Sequence, residues 1–236
     1  MNGEQRLQFY RFDELPSTQD YARALREKNE NAVVIAKSQS GGKGTKGRSF
    51  SSAEGGLYLS LLLCNRKIPA RQAFFEVARA AVAVCKTLEK LGLSPVVKWP
   101  NDILIGGKKI CGILIENTLC GGEISCSVVG IGLNVNNRLE EELSEIAATV
   151  YGLTGKKHGL SAVEKELLEN YFSPFSYEDY TARLGYIGKR VKLSVGEKTQ
   201  EVRLLGVSER GELIAEREGE KVVFAYGEVS IAKESL

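Results

Sequence analysis

The chain reads as an α+β protein: a mixed or antiparallel sheet with helices packed on it, followed by a small β barrel. Three observations predict this. Four β-type segments crowd together at 96–99, 102–105, 109–116 and 123–129, and a long apolar-faced helical pattern follows Pro69. After Gly185 the texture changes to about five short alternating segments over 187–232, punctuated by Gly196, Gly206, Gly211, Gly219 and Gly227. The expected division is therefore 1–186 and 187–236.

The elements follow in order. Residues 6–12 alternate as a strand does, and Ser17 opens a helix with Asp20 as its capping-box partner. Tyr21 and Leu25 then fall on one face of that helix. The runs 32–36 and 57–63 are almost wholly β-branched or apolar, as buried strands are. Pro69 can start a helix that buries Phe74, Phe75, Val77, Ala78, Ala81, Val82, Cys85 and Leu88 before Gly92 ends it. Three further helices are expected at 138–151, 160–172 and 176–184.

Composition narrows the function classes. With 236 residues and 43% hydrophobic content, the chain can build one sizeable core and a small appendage. A net charge of +2 argues against a general polyanion binder. The five cysteines are odd in number, lack C-x-x-C spacing and mostly sit in apolar runs, as reduced core residues of a cytoplasmic protein do. The start MNGEQRLQFYRF lacks the apolar core of a leader, and no run approaches the roughly 20 apolar residues of a membrane span. The one histidine, His158, falls in a polar Gly-Lys-Lys-His-Gly turn, which argues against serine–histidine catalysis and His/Cys zinc sites.

The most informative stretch is Lys98-Trp99-Pro100-Asn101-Asp102. Pro100 fixes its own φ and pushes Trp99 toward extended backbone, while Asn101 and Asp102 favour a turn. Gly106-Gly107 can supply the positive φ of a two-residue hairpin, which returns Lys109 beside the strand begun at Asp102. Strict alternation puts Lys109 on one face with Cys111, Ile113 and Ile115. It is then either a strand-end lysine snorkelling to water or a cation aimed into a pocket for a carboxylate or phosphate.

The second stretch, 39–50, carries four glycines and three cations without an acid. Glycine backbone approaches anions closely, and Lys43, Lys46 and Arg48 supply charge, so phosphate is the natural ligand. A flexible, merely solubilising loop is the plain alternative. A nucleotide P-loop is not: Arg48 stands in place of its lysine, and Ser-Ser-Ala-Glu-Gly follows instead of a helix.

Taken together, Gln39 to Phe50, Lys98 to Asp102, Lys109 to Ile113 and Gly130-Ile131-Gly132-Leu133-Asn134 resemble, in order and spacing, the signature segments of biotin protein ligases. Gly227-Glu228-Val229-Ser230 resembles that family's last strand, so the likeness spans about 11–231. It implies a class II synthetase-like biotin/lipoate ligase fold with an SH3-like C-terminal barrel. It also implies a two-step reaction: biotin attacks the α-phosphate of ATP, giving biotinyl-5′-AMP, and a carrier-domain lysine then takes the acyl group. In that case Lys109, Arg48 and Asp102 are the catalytic candidates, with Asp102 orienting a metal or accepting the lysine's proton.

Biotin would meet Ser17, Thr18, Gln39, Gly42, Lys43 and the backbone of Gly112 and Ile113. The adenylate would meet Lys43, Gly44, Thr45, Lys46, Gly47, Arg48, Phe50, Trp99, Asn101, Lys109 and Asn134. Ser17 reads equally as a helix cap, and Trp99 and Phe50 as core rings. Mg²⁺ would come through the ATP phosphates, without a certain protein ligand. The implied partner is the biotin carrier domain of a carboxylase; DNA and membrane are not expected, and a homodimer by edge-to-edge sheet pairing is left open. Lipoate ligases share the fold, but their glycine-rich arginine segment carries a histidine that is missing here.

The family's loop reads Gly-Arg-Gly-Arg-Arg-Gly-Arg, whereas here it is Gly42-Lys43-Gly44-Thr45-Lys46-Gly47-Arg48, with Phe50 in place of tryptophan. The arginine often found after the last strand is also missing from Ser230-Ile231-Ala232. Lysine lacks the bidentate fork, so the loop should order less tightly on the adenylate. Restoring arginine at 43 and 45 is expected to slow dissociation of biotinyl-5′-AMP, as read by stopped-flow release; an unchanged rate would refute this.

Overall fold

The structure is a computed structural model that describes residues 7–232 other than Glu197. The first residue of the strand expected at 6–12, and the ends of both expected domains, lie outside the described residues.

Two sheets organise the chain. The large one runs β1 (Gln8–Leu15), β2 (Ala32–Gln39), β3 (Leu57–Leu63), β8 (Glu123–Leu133), β7 (Lys108–Cys120), β6 (Asp102–Ile105), β5 (Val96–Lys98), with the short β4 (Ile68–Pro69) on β8. Only β1 and β2 pair in parallel, joined through α1 (Thr18–Ala24); the other pairs are antiparallel. The small sheet is antiparallel in the order β12 (Glu220–Phe224), β11 (Leu213–Arg217), β10 (Lys198–Val207), β9 (Arg190–Val195), β13 (Val229–Ile231).

The two faces of the large sheet differ in chemistry. One is apolar: Leu57, Leu59, Leu61, Val129, Ile131, Cys111 and Ile103 are buried with α2 (Phe74–Lys90) in one core. Helices α4 (Leu160–Phe172) and α5 (Tyr177–Thr181) pack on α2 behind it. The other face alternates Tyr58, Ser60 and Leu62 on β3 with Gly132, Gly130 and Val128 on β8. Helix α1 and the 3₁₀ turn after it lie over this second face, burying Ala22 and Leu25 on Val34, Leu62 and Val128.

Several sequence expectations shift. The long helix starts at Phe74 rather than Pro69, because Pro69 is held in β4 and residues 70–72 form a 3₁₀ turn. Phe75 is half-buried, its ring against Phe175 and Arg79. Of the helix expected over 138–151, only the last two residues are α-helical. The Lys109 N–H donates to the Ile146 carbonyl at 2.9 Å and the Ala148 N–H to the Lys109 carbonyl at 2.9 Å, so this segment pairs with β7. Helix α3 (Val150–Thr154) begins only afterwards. Gly206 does not separate strands but sits at a bulge inside β10. Gly106 and Gly107 do make the expected hairpin turn, at φ of 56° and 80°.

An aromatic junction joins the sheets. Trp99, 2% exposed, donates its indole N–H to the Gly211 carbonyl at 3.0 Å and meets Tyr226 edge-on. Phe74 contacts Tyr177, Tyr180 and Tyr226, and the Tyr180 hydroxyl donates to the Pro100 carbonyl at 3.0 Å. Gly211 has φ of +81°, and a Cβ there would stand 2.3 Å from the Phe74 ring. Gly211→Ala should therefore destabilise the fold by about 3 kcal/mol, from strain at positive φ and overpacking. Urea unfolding followed by the fluorescence of Trp99, the one tryptophan, reports directly on this junction.

Candidate active site

The second face of the large sheet opens into a cleft of about 500 Å³, roofed by α1 and by the glycine-rich loop after β2. Its floor is made by residues without side chains. A Cβ on Gly132 would lie 2.6 Å from the Phe50 ring, and one on Gly130 would lie 2.5 Å from Gln19 Oε1. Gly112, paired with Gly132, would bring one to 3.2 Å from Lys109 Nζ.

Lys109 reaches this floor through a bulge. β6 pairs Ile103 with Cys111 but Leu104 with Lys109, which leaves Ile110 as an extra residue. The strict alternation expected from the sequence is thereby broken. Cys111 keeps to the core face, while Lys109 joins Gly112, Asp102 and Leu104 on the cleft face. Burial drives the Cys111 thiol well above its usual range, so it is a neutral core group. Lys109 Nζ lies 2.6 Å from Asp102 Oδ1 and 5.8 Å from the centre of the Phe50 ring. Asp102 is held by the turn before it: Asn101 donates its side-chain amide to the Ile113 carbonyl at 2.6 Å, and Ile113 N–H returns a bond to the Asn101 carbonyl at 3.1 Å.

The opposite end of the cleft is a buried hydrogen-bond chain. The Gln39 amide N–H donates to Ser52 Oγ at 2.8 Å, which turns its oxygen toward Thr18. That oxygen accepts from the Thr18 backbone N–H at 2.8 Å and hydroxyl at 3.0 Å. Thr18 Oγ1 and Ser60 Oγ are 3.0 Å apart, and Ser60 donates to Gln19 Oε1 at 3.2 Å. Gln19 in turn donates to Glu116 at 3.1 Å and the Val128 carbonyl at 3.3 Å. The polar atoms therefore have fixed directions before any ligand arrives. Ser17 caps α1, accepting from Asp20 N–H at 3.3 Å, and still lines the cleft.

The loop over the cleft folds as a small hairpin, with Phe50 N–H on the Gly42 carbonyl at 2.9 Å and Gly44 N–H on the Arg48 carbonyl at 2.7 Å. Arg48 bonds Thr45 Oγ1 at 2.9 Å, and Lys43 reaches Asp20 on α1 at 2.7 Å. Asp20 thus spends its carboxylate on Lys43 and Arg23 instead of closing the capping box expected from the sequence.

Most of the expected residues meet here: Ser17, Thr18, Gln39, Lys43, Gly44, Thr45, Arg48, Phe50, Asn101, Asp102, Lys109, Gly112 and Ile113 line the cleft. Five do not. Gly42, Lys46 and Gly47 belong to the loop hairpin without facing the cavity, and Trp99 faces the small sheet. Asn134 is buried beyond the floor, its side-chain oxygen accepting from Asn137 at 3.1 Å. His158 is half-buried and pinned by Asn136 through both its N–H and its carbonyl, not a solvated turn. Sequence reasoning missed Gln19, Ser60, Gly130 and Gly132; a lone serine inside the apolar run Leu-Tyr-Leu-Ser-Leu-Leu-Leu was the available signal. Among the described residues, no three His, Cys, Asp or Glu side chains gather as a metal cage. None of the described helices is long and apolar enough to cross a membrane.

Residues 11–134 match the Biotin/lipoate A/B protein ligase family, and residues 186–231 match the Biotin protein ligase C terminal domain. The chain is 34% identical to the Bifunctional ligase/repressor BirA of Bacillus subtilis, over 90% of this chain and 71% of that protein. It is 32% identical to the Biotin--[acetyl-CoA-carboxylase] ligase of Paracoccus denitrificans, over 53% of this chain and 55% of that one. Its fold superposes with a TM-score of 0.79 on the Biotin protein ligase from Aquifex aeolicus in complex with biotin and ATP, at 31% identity, covering 95% of this chain and 98% of that one. The small antiparallel sheet accordingly corresponds to the SH3-like domain expected at the C-terminus.

The geometry gives one direct expectation. A partly exposed ion pair contributes about 0.2–1 kcal/mol, so Asp20→Asn should speed trypsin cleavage at Lys43, Lys46 and Arg48 by about two- to fivefold, without changing the unfolding midpoint appreciably. Limited proteolysis timed by mass spectrometry measures it.

Proposed function

The chain belongs to the biotin/lipoate A/B protein ligase family, and we propose that it is an ATP-dependent biotin–protein ligase acting on the biotin carrier domain of a carboxylase. One observation carries the reading: a single cleft joins a preset hydrogen-bonding end to a cationic end. The first suits a small ring with alternating N–H and C=O groups. The second suits a carboxylate meeting a phosphate.

The chemistry then follows from the residues. Thr18, Gln39 and Ser60 take the ureido ring, each with its polar atoms already oriented, so that an analogue lacking a partner leaves a buried group unpaired. The bare floor at Gly112, Gly130 and Gly132 lets the acyl chain run along the strands toward Lys109. In the first step a carboxylate oxygen attacks the α-phosphorus, the bond to the β-phosphate oxygen breaks, and pyrophosphate leaves. Negative charge builds between carboxylate and α-phosphate, where the Lys109 ammonium stabilises it. Asp102 positions that ammonium at 2.6 Å in the free protein. Arg48 and Lys43 turn from Thr45 and Asp20 to the phosphates as the loop closes. In the second step the neutral carrier lysine attacks the acyl carbon, AMP leaves, and the amine proton departs, with Asp102 within reach as acceptor.

Mg²⁺ would enter with the triphosphate in this reading: Asp102 pairs with Lys109 in the free protein, and among the described residues no three His, Cys, Asp or Glu side chains gather. When bound it would neutralise the leaving pyrophosphate. In this reading the domains divide at 186/187: the described residues before that point hold both ends of the cleft, and those after it form the small domain that packs on Trp99.

Lys109→Ala should cut biotin-dependent ATP–pyrophosphate exchange by about 100- to 1,000-fold, the loss typical of one preorganised charge donor. Calorimetric biotin affinity should stay within a few-fold of the wild type. Full exchange activity in the variant would remove Lys109 from its assigned role, and lipoate competing as well as biotin would overturn the substrate.

A further inference from the structure

We infer that Cys64 and Cys126 form a reversible disulfide that staples β3 to β8 beneath α1. The ladder pairs Leu61 with Val129, Leu62 with Val128 and, last, Leu63 with Ser127; carrying its register one residue further sets Cys64 opposite Cys126. Directly opposed residues of an antiparallel pair have Cα atoms about 4.5 or 5.5 Å apart. Both values fall inside the window of about 4.4–6.8 Å that a disulfide needs. The side chains share a face as well, since both cysteines pack in the apolar cluster of Leu62, Val128, Ala22 and Leu25.

The surroundings suit thiol chemistry. Cys126 stands near enough to raise the Cys64 thiol, and Cys64 is 1% exposed whereas Cys126 is half-buried and reachable. Arg26 stands beside the pair, its guanidinium fixed on Thr118 Oγ1 at 2.5 Å and on the Arg23 carbonyl at 2.9 Å. Burial, and after it Cys126, push the Cys64 thiol up to about 12 against the opposing pull of the Arg26 charge. The accessible Cys126 is therefore the first to react, and Cys64 resolves it.

The oxidant is a peroxide. The Cys126 thiolate attacks one peroxide oxygen, the O–O bond breaks, and water leaves after protonation, giving a sulfenic acid. Cys64 sulfur then attacks that sulfur, the S–OH bond breaks, and a second water leaves with the Cys64 proton. Two thiols and one hydrogen peroxide become one disulfide and two waters. This chemistry is independent of the ligase reading, because neither cysteine lines the cleft.

The test uses the full chain carrying Cys120→Ser, which removes the exposed thiol and leaves four of the five cysteines. After hydrogen peroxide treatment, the expected result is loss of two thiols and of two hydrogens in intact mass. A cross-linked peptide pair containing Cys64 and Cys126 should appear, and dithiothreitol should restore the thiols. The thermal midpoint should rise on oxidation and fall back on reduction. In Cys64→Ser, Cys126 should instead gain oxygen without any cross-link. The inference fails if the treated protein keeps four thiols, if Cys126 is over-oxidised while Cys64 stays free, or if Cys126 pairs with another residue.

Discussion

The cleft depends on a close approach that only bare backbone permits. Gly112 and Gly132 face each other across β7 and β8, and Gly130 lies two residues before Gly132 opposite Leu114, so the central strands leave bare backbone where Phe50 and Gln19 come down. Phe50 and Gln19 fill the space that ordinary Cβ atoms would occupy. A strand glycine usually weakens a sheet through its entropy and its missing contacts. Here the loss is confined to one face, because the same strands bury Ile131, Leu133, Cys111 and Ile113 on the other. The apolar face holds the fold, which frees the opposite face for chemistry.

Charge is distributed with the same economy. Lys109 is neither deeply buried nor fully solvated, and its partner Asp102 is fixed by a turn that Asn101 closes on β7. An ammonium left unpaired in such a cleft would be costly to desolvate, and the carboxylate offsets that until a substrate anion replaces it. Lys43 and Arg48 follow the same pattern with local partners in the loop and on α1. The free protein thus keeps its cations satisfied and positioned, and a phosphate competes with weak surface pairs rather than with a buried ion pair.

Much of this was legible in the sequence, and the reasons for the rest are specific. Apolar runs marked β3, β6 and α4, and Gly106-Gly107 marked its hairpin, because those signals are local. The bulge at Ile110 is not local: it is a mismatch between two paired strands, and it moved Lys109 to the opposite face from the one that alternation assigns. Residues 138–151 have helical spacing, but their backbone groups are claimed by the start of β7, so tertiary pairing overrode propensity. Trp99 and Asn134 were assigned to the adenylate by resemblance alone; burial and partners place them in the junction and beyond the floor. Gln19 and Ser60 carried too little local signal, since a polar residue in an apolar run shows its purpose only once its partner is known.

The turn at 98–102 shows why one short motif can serve two parts of the molecule. Residues 99–101 form the turn between β5 and β6, and a turn sends neighbouring side chains to different parts of the molecule. Trp99 goes to the small sheet, where it bonds Gly211, while Asn101 and Asp102 end at the cleft, one bonding β7 and the other Lys109. Tyr180 adds a bond to the carbonyl of Pro100 between them. A shift of the small sheet against α2 would have to move Trp99, and with it the turn that holds Asp102. The position of the Asp102 carboxylate is thus set by packing on both sides of the chain. That accounts for a tryptophan in this motif even though its ring never faces the cleft.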